Sequence, residues 1–251
     1  MSKTEQSAKN PFSAADGQGA QATIPALEPK CLSLLTSIYI TALVLTMSMA
    51  SKFIAIGPFN ICGATLVFPI TYIFNDIFTE VYGYQRSRRI IWMGLGAQAF
   101  SGFAYWILGL WPPAPFWHNQ EAYMTILGTG PRVAAASLFA YVFGEFTNSI
   151  VISKLKFKQG GEGGIKQGWR FLASTIVGEA VDTSIFFPVA FVGIIAWPEL
   201  SQTMITVYLV KVLYEFVALP FSISIANAIK RQERIDVIDK PEETDYSFAR
   251  F

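Results

Sequence analysis

Charged residues are scarce in this chain of 251 residues, where they make up only 15% of the sequence. Soluble domains carry about 25% charged residues, so this composition argues against a soluble globular protein. The single histidine, His118, excludes a metal site built from several histidines. The two cysteines, Cys31 and Cys62, show no metal-site spacing and no disulfide framework, and we interpret both as small apolar residues.

Sequence motifs of nucleotide-binding and hydrolytic sites are absent as well. The chain contains no GxGxxG, Walker, HExxH or GxSxG motif, so we expect no enzyme, no cofactor and no bound metal. An integral membrane enzyme stays open as an alternative. The formal net charge of +1 gives no indication of a nucleic-acid partner.

Long apolar stretches are abundant. Hydrophobic residues make up 52% of the chain and aromatic residues 15%. Six stretches are close to the roughly 20 residues that a helix needs to cross a bilayer. They predict an all-α integral membrane protein with six transmembrane helices, at about Leu32–Ile54, Ile61–Tyr82, Ile90–Leu110, Val133–Ser153, Phe171–Ala196 and Thr203–Ile229.

The distribution of Lys and Arg predicts the orientation. If both termini are cytoplasmic, 16 of the 19 Lys and Arg residues fall in cytoplasmic segments, as the positive-inside rule requires. We therefore expect residues 1–30 to be a disordered cytoplasmic tail, residues 31–230 a six-helix transmembrane transporter domain, and residues 231–251 a second cytoplasmic tail.

The stretch from Phe68 to Arg89 combines an apolar helix with two acids and a basic turn. Asp76 and Glu80 are one helical turn apart and share a face. Acidic residues inside a membrane are costly and are usually retained for a function. For Glu80, close to the membrane edge, the alternative is an ion pair with Arg86 or Arg88.

Further ionisable residues fall within the other predicted spans. By the helical rise of about 1.5 Å per residue, Glu145, Asp182 and Glu215 each lie about 17–18 Å from one end of their span, close to the middle of a bilayer. Lys211 is one turn from Glu215, and a self-neutralising pair on one helix is the alternative to a functional role.

Glu179 and Asp182 are like charges on one face of a helix, with no basic residue nearby in the sequence. Bringing both into a low-dielectric region in the ionised form is unfavourable, so one of them is expected to carry a proton. Asp182 in particular has no basic neighbour in its own helix, and we expect it to be unpaired.

Aromatic residues accompany these acids and suggest a site for a purine-like base. Flat aromatic faces can stack on a base while a carboxylate accepts hydrogen bonds from its N1–H and N2–H₂ donors. Tyr72, Phe143 and Phe186 are the aromatic candidates, and helix or lipid packing is the alternative for each. Prolines are predicted to interrupt and kink spans two, five and six, at Pro69, Pro188 and Pro220.

Four segments of the chain resemble a known family: FPITYIFNDIFTEVYGYQRSRRIIW, SLFAYVFGEFTNSIVISKLK, LASTIVGEAVDTSIFFPVAF and VKVLYEFVALPF. They are similar to the queuosine precursor transporters, also called the VUT family. The resemblance implies a six-span protein of the bacterial inner membrane that imports preQ0 and preQ1. It also implies roles for residues that match the motifs: Asp76, Glu80, Gly83, Arg89, Glu145, Thr175, Gly178, Glu179, Asp182, Lys211 and Glu215.

Residues and resemblance together predict an importer of 7-cyano- and 7-aminomethyl-7-deazaguanine. Asp182 and Glu179 are the first candidates for the guanine edge, with Lys211 as counter-charge and Asp76 as a second acceptor or relay. The alternatives are a substrate-binding subunit of an energy-coupling-factor transporter with a separate ATPase, a transporter of another purine or vitamin-like molecule, and a structural membrane protein. A homodimer stays open.

Overall fold

Helices make up most of the described residues, which are 29–56, 59–128 and 130–248 of a computed structural model. The predicted N-terminal tail lies almost wholly outside these residues. The helices of the described chain are α1 Lys30–Met49, α2 Phe68–Tyr82, α3 Tyr84–Leu110, α4 Gln120–Leu127, α5 Pro131–Lys158, α6 Ile165–Phe191 and α7 Trp197–Glu233.

Five stretches of the described chain are long and apolar enough to cross a membrane, judged by length and composition. They contain α1, α3, α5, α6 and α7. This confirms the prediction of an α-helical membrane protein. Helix α2, with 15 residues, is not among the five.

A β-hairpin connects α1 to α2, where the sequence analysis placed the ends of two transmembrane helices. Strand β1, Phe53–Ile56, pairs antiparallel with β2, Phe59–Cys62, and a short 3-10 helix, Gly63–Leu66, precedes α2. The first predicted span was therefore too long at its C-terminal end, because short apolar runs do not distinguish a strand from a helix. The Gly57-Pro58 pair between the two runs is the local signal for a hairpin that the interpretation missed.

Helices α5 and α6 pack very closely at a pair of glycines. A Cβ atom on Gly144 would lie 3.0 Å from the Cβ of Asp182 and 3.1 Å from the Tyr72 hydroxyl, and one on Gly178 would lie 3.0 Å from the Cβ of Asn148. Small residues allow this close approach of two helix backbones. The contact also brings α2, through Tyr72, against the polar faces of α5 and α6.

One end of the bundle is marked by Glu80, and we call it the Glu80 end. The start of α1 meets the end of α7 there, because the Cys31 backbone N–H donates to Glu233. Side chains from the start of α6 and the ends of α5 and α7 meet Glu80 itself. At the opposite end, Arg132 of α5 donates to the carbonyls of Val189 and Val192 at 2.6 and 2.7 Å. The chain therefore alternates in direction through the bundle.

The segment after α7 packs against the helices instead of extending away from them. Helix α7 ends at Glu233, and Arg234 has a positive φ of 55°. The Val237 N–H then donates to the Val81 carbonyl at 3.1 Å, and the Trp92 indole N–H donates to the Phe248 carbonyl at 2.9 Å. We call residues 235–248 the C-terminal strap.

The prolines differ in their positions along the helices. Pro188 and Pro220 lie inside α6 and α7. Pro69 lies in the first turn of α2, where a proline removes no intrahelical hydrogen bond. Pro69 therefore lies at the start of α2 and not inside a continuous helix, and the prediction that it kinks a membrane span stays a prediction.

Candidate functional site

We define two groups of interacting polar side chains in the described chain, each rich in ionisable residues. The midspan cluster lies beside the α5–α6 contact and consists of Tyr72, Asp76, Glu145, Asn148, Glu179, Asp182, Lys211 and Glu215. The end cluster lies at the Glu80 end and consists of Glu80, Lys156, Arg170, Lys230 and Asp236.

Lys211 joins α7 to α6 in the midspan cluster. Its ammonium donates to Glu179 Oε2 and to Asp182 Oδ2, both at 2.8 Å. The prediction that Asp182 is unpaired is therefore wrong, because helix packing brings in a cation that is distant in the sequence. The ion pairs of Lys211 run to α6 and not to Glu215 of its own helix, which argues against the alternative of a self-neutralising pair.

Several acceptors in the midspan cluster have no hydrogen-bond partner among the described residues. Asp76 Oδ1 accepts from the Asn148 amide at 2.6 Å, but its other oxygen accepts nothing. A buried polar atom without a partner costs about 1–3 kcal/mol, so a group of them indicates a place for a ligand, a water or a proton. The unpartnered atoms are Tyr72 Oη, Asp76 Oδ2, Asn148 Oδ1, Glu215 Oε1 and both carboxylate oxygens of Glu145.

Electrostatic contacts show that these acids face a common region. Glu145 lies within electrostatic range of Glu179, Asp182 and Lys211. Asp76 lies within range of Glu145 and Glu215. The structure therefore brings together the predicted residues Asp76, Glu145, Glu179, Asp182, Lys211 and Glu215, which come from α2, α5, α6 and α7.

Of the predicted aromatic residues, Tyr72 lies in the midspan cluster, whereas Phe143 and Phe186 do not form part of it. Tyr72 is buried in the cluster, and its ring packs on Phe68 at 5.4 Å between centroids. The Lys211 ammonium lies 4.3 Å from the centre of the Phe68 ring. Phe143 is 42% exposed and contacts Phe248 of the C-terminal strap, so it faces away from the cluster.

Phe186 packs within its own stretch of α6. Its ring contacts are with Phe187 and Phe191, at 5.2 and 5.9 Å between centroids. Of the aromatic side chains at the cluster, Phe68 contacts the Lys211 ammonium and Tyr72 packs on Phe68.

Glu80 is fully buried in the end cluster and paired on both oxygens. Arg170 donates to Glu80 Oε2 at 2.7 Å and to Oε1 at 2.5 Å, and Lys230 donates to Oε1 at 2.6 Å. Glu80 is therefore ion-paired, as the alternative in the sequence analysis held, but its partners are not Arg86 or Arg88. Arg88 instead donates to the carbonyls of Asp245 and Ser247 in the strap, at 3.0 and 2.9 Å.

Lys156 and Asp236 complete the end cluster. Lys156 donates to Asp236 Oδ1 at 2.5 Å, to the Val237 carbonyl at 2.6 Å and to the Glu80 carbonyl. Lys230 also reaches Asp236, at 2.9 Å. Burial raises the pKa of Asp236, but the hydrogen bonds from Lys156 and Lys230 outweigh it and hold that pKa below its ordinary value.

Sequence analysis missed the partners of Glu80 because it counted Lys156, Arg170 and Lys230 only as charges of cytoplasmic segments. The available signal was their position within one or two turns of an apolar helix, where a long side chain can turn back into the protein. Among the described residues, no three His, Cys, Asp or Glu side chains are arranged so that they could hold a metal ion.

Comparison with known proteins identifies two similarities. The family described as "Putative vitamin uptake transporter" matches residues 62–225. A protein of Bacillus subtilis (strain 168), named "Probable queuosine precursor transporter", is 30% identical over 162 residues, which cover 64% of this chain and 69% of the relative. No solved structure matches. The family match contains the whole midspan cluster but ends before Lys230 and Asp236 of the end cluster.

Proposed function

Because this chain belongs to the vitamin uptake transporter family, we propose that it imports the 7-deazaguanine precursors of queuosine, preQ0 and preQ1. The observation that supports this most directly is the midspan cluster, a buried group of free acceptors beside one ammonium inside a bundle of apolar helices. The printed name of the Bacillus relative supports the choice of substrate class.

The chemistry of the base fits this arrangement. A guanine-type edge presents the N1–H and N2–H₂ donors next to the O6 acceptor. The cluster offers carboxylate oxygens for the donors and the Lys211 ammonium for the acceptor. The rings of Phe68 and Tyr72 supply flat apolar surface next to Lys211, on which a planar base can stack.

In this proposal, the protein crosses the bacterial inner membrane six times. Helix α2 covers about 22 Å at 1.5 Å per residue, and the 3-10 helix before it adds about 8 Å, which together match a bilayer core of about 30 Å. The Glu80 end carries Lys156, Arg170 and Lys230, and by the positive-inside rule this supports a cytoplasmic side for this end of the bundle and for both termini.

Uptake by purified protein in liposomes tests the function. We expect proteoliposomes to accumulate labelled preQ0 or preQ1 above the level of protein-free liposomes, and unlabelled adenine to compete poorly. A matched assay in cells that cannot make preQ0 measures queuosine in tRNA after addition of either base. Accumulation in cells but not in liposomes would favour a substrate-binding subunit that needs a separate ATPase. No uptake of either base in both assays would contradict the proposal.

A further inference from the structure

Glu145 combines two fully buried carboxylate oxygens that have no partner in the described structure with a position in electrostatic range of Lys211. It is 1% exposed, and neither carboxylate oxygen has a hydrogen-bond partner among the described residues. The Asn75 amide lies beside this carboxyl, but its hydrogen bond goes to the Glu145 backbone carbonyl at 3.2 Å. Both oxygens can therefore accept hydrogen bonds without breaking an existing one.

Three of the other acids are already engaged. Glu179 and Asp182 each give one oxygen to Lys211, so a ligand that bound both oxygens of either acid would share one of them with the ammonium. Asp76 gives one oxygen to the Asn148 amide. Glu215 also has no hydrogen-bond partner among the described residues, but only one of its oxygens is fully buried, whereas both oxygens of Glu145 are.

Lys211 supplies the complementary donor. An ammonium has three N–H groups, and two of them bind Glu179 and Asp182. The third binds no oxygen in the described structure, where the ammonium also lies 4.3 Å from the centre of the Phe68 ring. Glu145 and Lys211 lie within electrostatic range of each other, on α5 and α7, so an acceptor site and a donor face the same region.

We infer that Glu145 accepts hydrogen bonds from N1–H and N2–H₂ of the transported base, while Lys211 donates to its O6. The inference rests on the proposed function and deepens it by naming the specificity residue. Glu179 and Asp182, the first candidates from the sequence, then act as positioning residues for Lys211. Paired acceptors from one carboxylate match paired donors on one edge of the base, a geometry that also gives specificity.

A pair of bases that differ only in the 2-amino group tests the inference. We expect the unmodified protein to take up 7-deazaguanine at least about tenfold better than 7-deazahypoxanthine, because the second base lacks the N2–H₂ donors and leaves a buried carboxylate oxygen unpaired. The Glu145→Gln variant places an amide N–H₂ against a donor of 7-deazaguanine in either orientation of the amide. Its preference for 7-deazaguanine should fall from about tenfold to within about threefold, which corresponds to a loss of roughly 0.7 kcal/mol or more.

Glu215→Gln is the matched control, because it makes the same change in an acid of equal burial on α7. It should change the uptake of both bases by the same factor and keep their ratio. An unchanged ratio in Glu145→Gln, or an equal loss of ratio in Glu215→Gln, would overturn the inference. Failure of the unmodified protein to take up any 7-deazaguanine would instead count against the proposed function.

Glu145→Asp is a second test variant, to be used if Glu145→Gln does not insert into the membrane. It keeps the charge but withdraws the carboxylate by one methylene. We expect it to take up 7-deazaguanine at least about tenfold less well than the unmodified protein, because a displaced carboxylate makes weaker hydrogen bonds. Uptake equal to that of the unmodified protein would also overturn the inference.

Discussion

The midspan and end clusters are built from the same kinds of residues but differ in how fully their hydrogen bonds are satisfied. In the end cluster, three cations meet two acids, and both oxygens of Glu80 accept from Arg170 or Lys230. The midspan cluster contains one cation and five acids, and the cation pairs with two of them. Six polar atoms of this cluster have no partner among the described residues. A satisfied buried network stabilises one arrangement of the helices, whereas an unsatisfied one can gain bonds from a ligand.

The clusters also differ in how much of each lies within the residues that the family matches. The midspan cluster lies entirely within the matched residues 62–225, whereas Lys230 and Asp236 lie beyond them. Part of the end cluster is therefore supplied by the end of α7 and by the C-terminal strap. This difference predicts that changes in the end cluster alter stability, and that changes in the midspan cluster alter uptake.

The largest effect is expected for Glu80→Gln. The change removes the negative charge and leaves the fully buried Arg170 guanidinium without its carboxylate. Breaking one partner of a buried ion pair costs about 3–5 kcal/mol. We expect a clear fall in the melting temperature of the purified protein in detergent.

The matched control for Glu80 is Glu162→Gln, which breaks an ion pair with Lys166 in which both side chains are more than half exposed. Exposed pairs contribute about 0–1 kcal/mol, so the melting temperature should stay within error of the unmodified protein. Equal melting temperatures for the Glu80 and Glu162 variants would show that the end cluster does not stabilise the bundle.

Asp182→Asn is expected to lower uptake without removing the protein from the membrane. Lys211 keeps its bond to Glu179, so no cation is left unpaired. The ammonium loses one of the two carboxylates that position it, and a charge-assisted hydrogen bond of about 1.5–3 kcal/mol corresponds to roughly tenfold or more in affinity. Uptake of preQ1, normalised to membrane expression, measures this.

A fall in melting temperature of Asp182→Asn as large as that of Glu80→Gln would contradict the distinction between the clusters. The midspan acids would then hold the helices together in the same way as the end cluster.

Asp239→Asn tests how much the C-terminal strap contributes to the Glu80 end. Asp239 Oδ2 accepts from the Tyr84 N–H at 2.9 Å and from the Ser153 hydroxyl at 2.8 Å, and so fastens the strap to α3 and α5. Loss of the charge should cost about 1–2 kcal/mol of stability. We also expect proteases to cleave the C-terminal strap of Asp239→Asn faster than that of the unmodified protein. An unchanged protease pattern would contradict the role of Asp239 in holding the strap.

The smallest effect is expected for Asp236, whose side chain is 45% exposed. Its pKa is lowered in the folded protein, so its ion pairs stabilise the fold above the unfolded value of about 3.9. That contribution is lost as the pH falls through the lower folded pKa. Lys156 keeps its hydrogen bonds to the Glu80 and Val237 carbonyls, and Lys230 keeps its bond to Glu80. We therefore expect Asp236→Asn to melt only slightly below the unmodified protein at pH 7, and the difference to shrink as the pH falls below about 3.9. A difference that does not shrink with falling pH would contradict this origin.

The membrane class and most helices could be predicted from composition and apolar length alone. The hairpin between α1 and α2 could not, because its strands are short apolar runs that continue the hydropathy of the helices beside them. The packed position of the C-terminal strap was also missed. Its hydrogen bonds with Val81, Arg88 and Trp92 join residues more than 150 positions apart, and no local pattern records such contacts.

The sequence by itself determined that acids lie within apolar helices, because apolar length and the positions of charged residues are read directly along the chain. It also identified the family through local motifs. Only the tertiary structure decided which acids are neutralised and which are free. Glu80 meets Arg170 across 90 positions and Asp182 meets Lys211 across 29, while Glu145 meets no cation at all within hydrogen-bonding distance in the described structure. Pairing depends on which helix faces touch, and that is set by the packing of the whole bundle, including the close contact of Gly144 with α6.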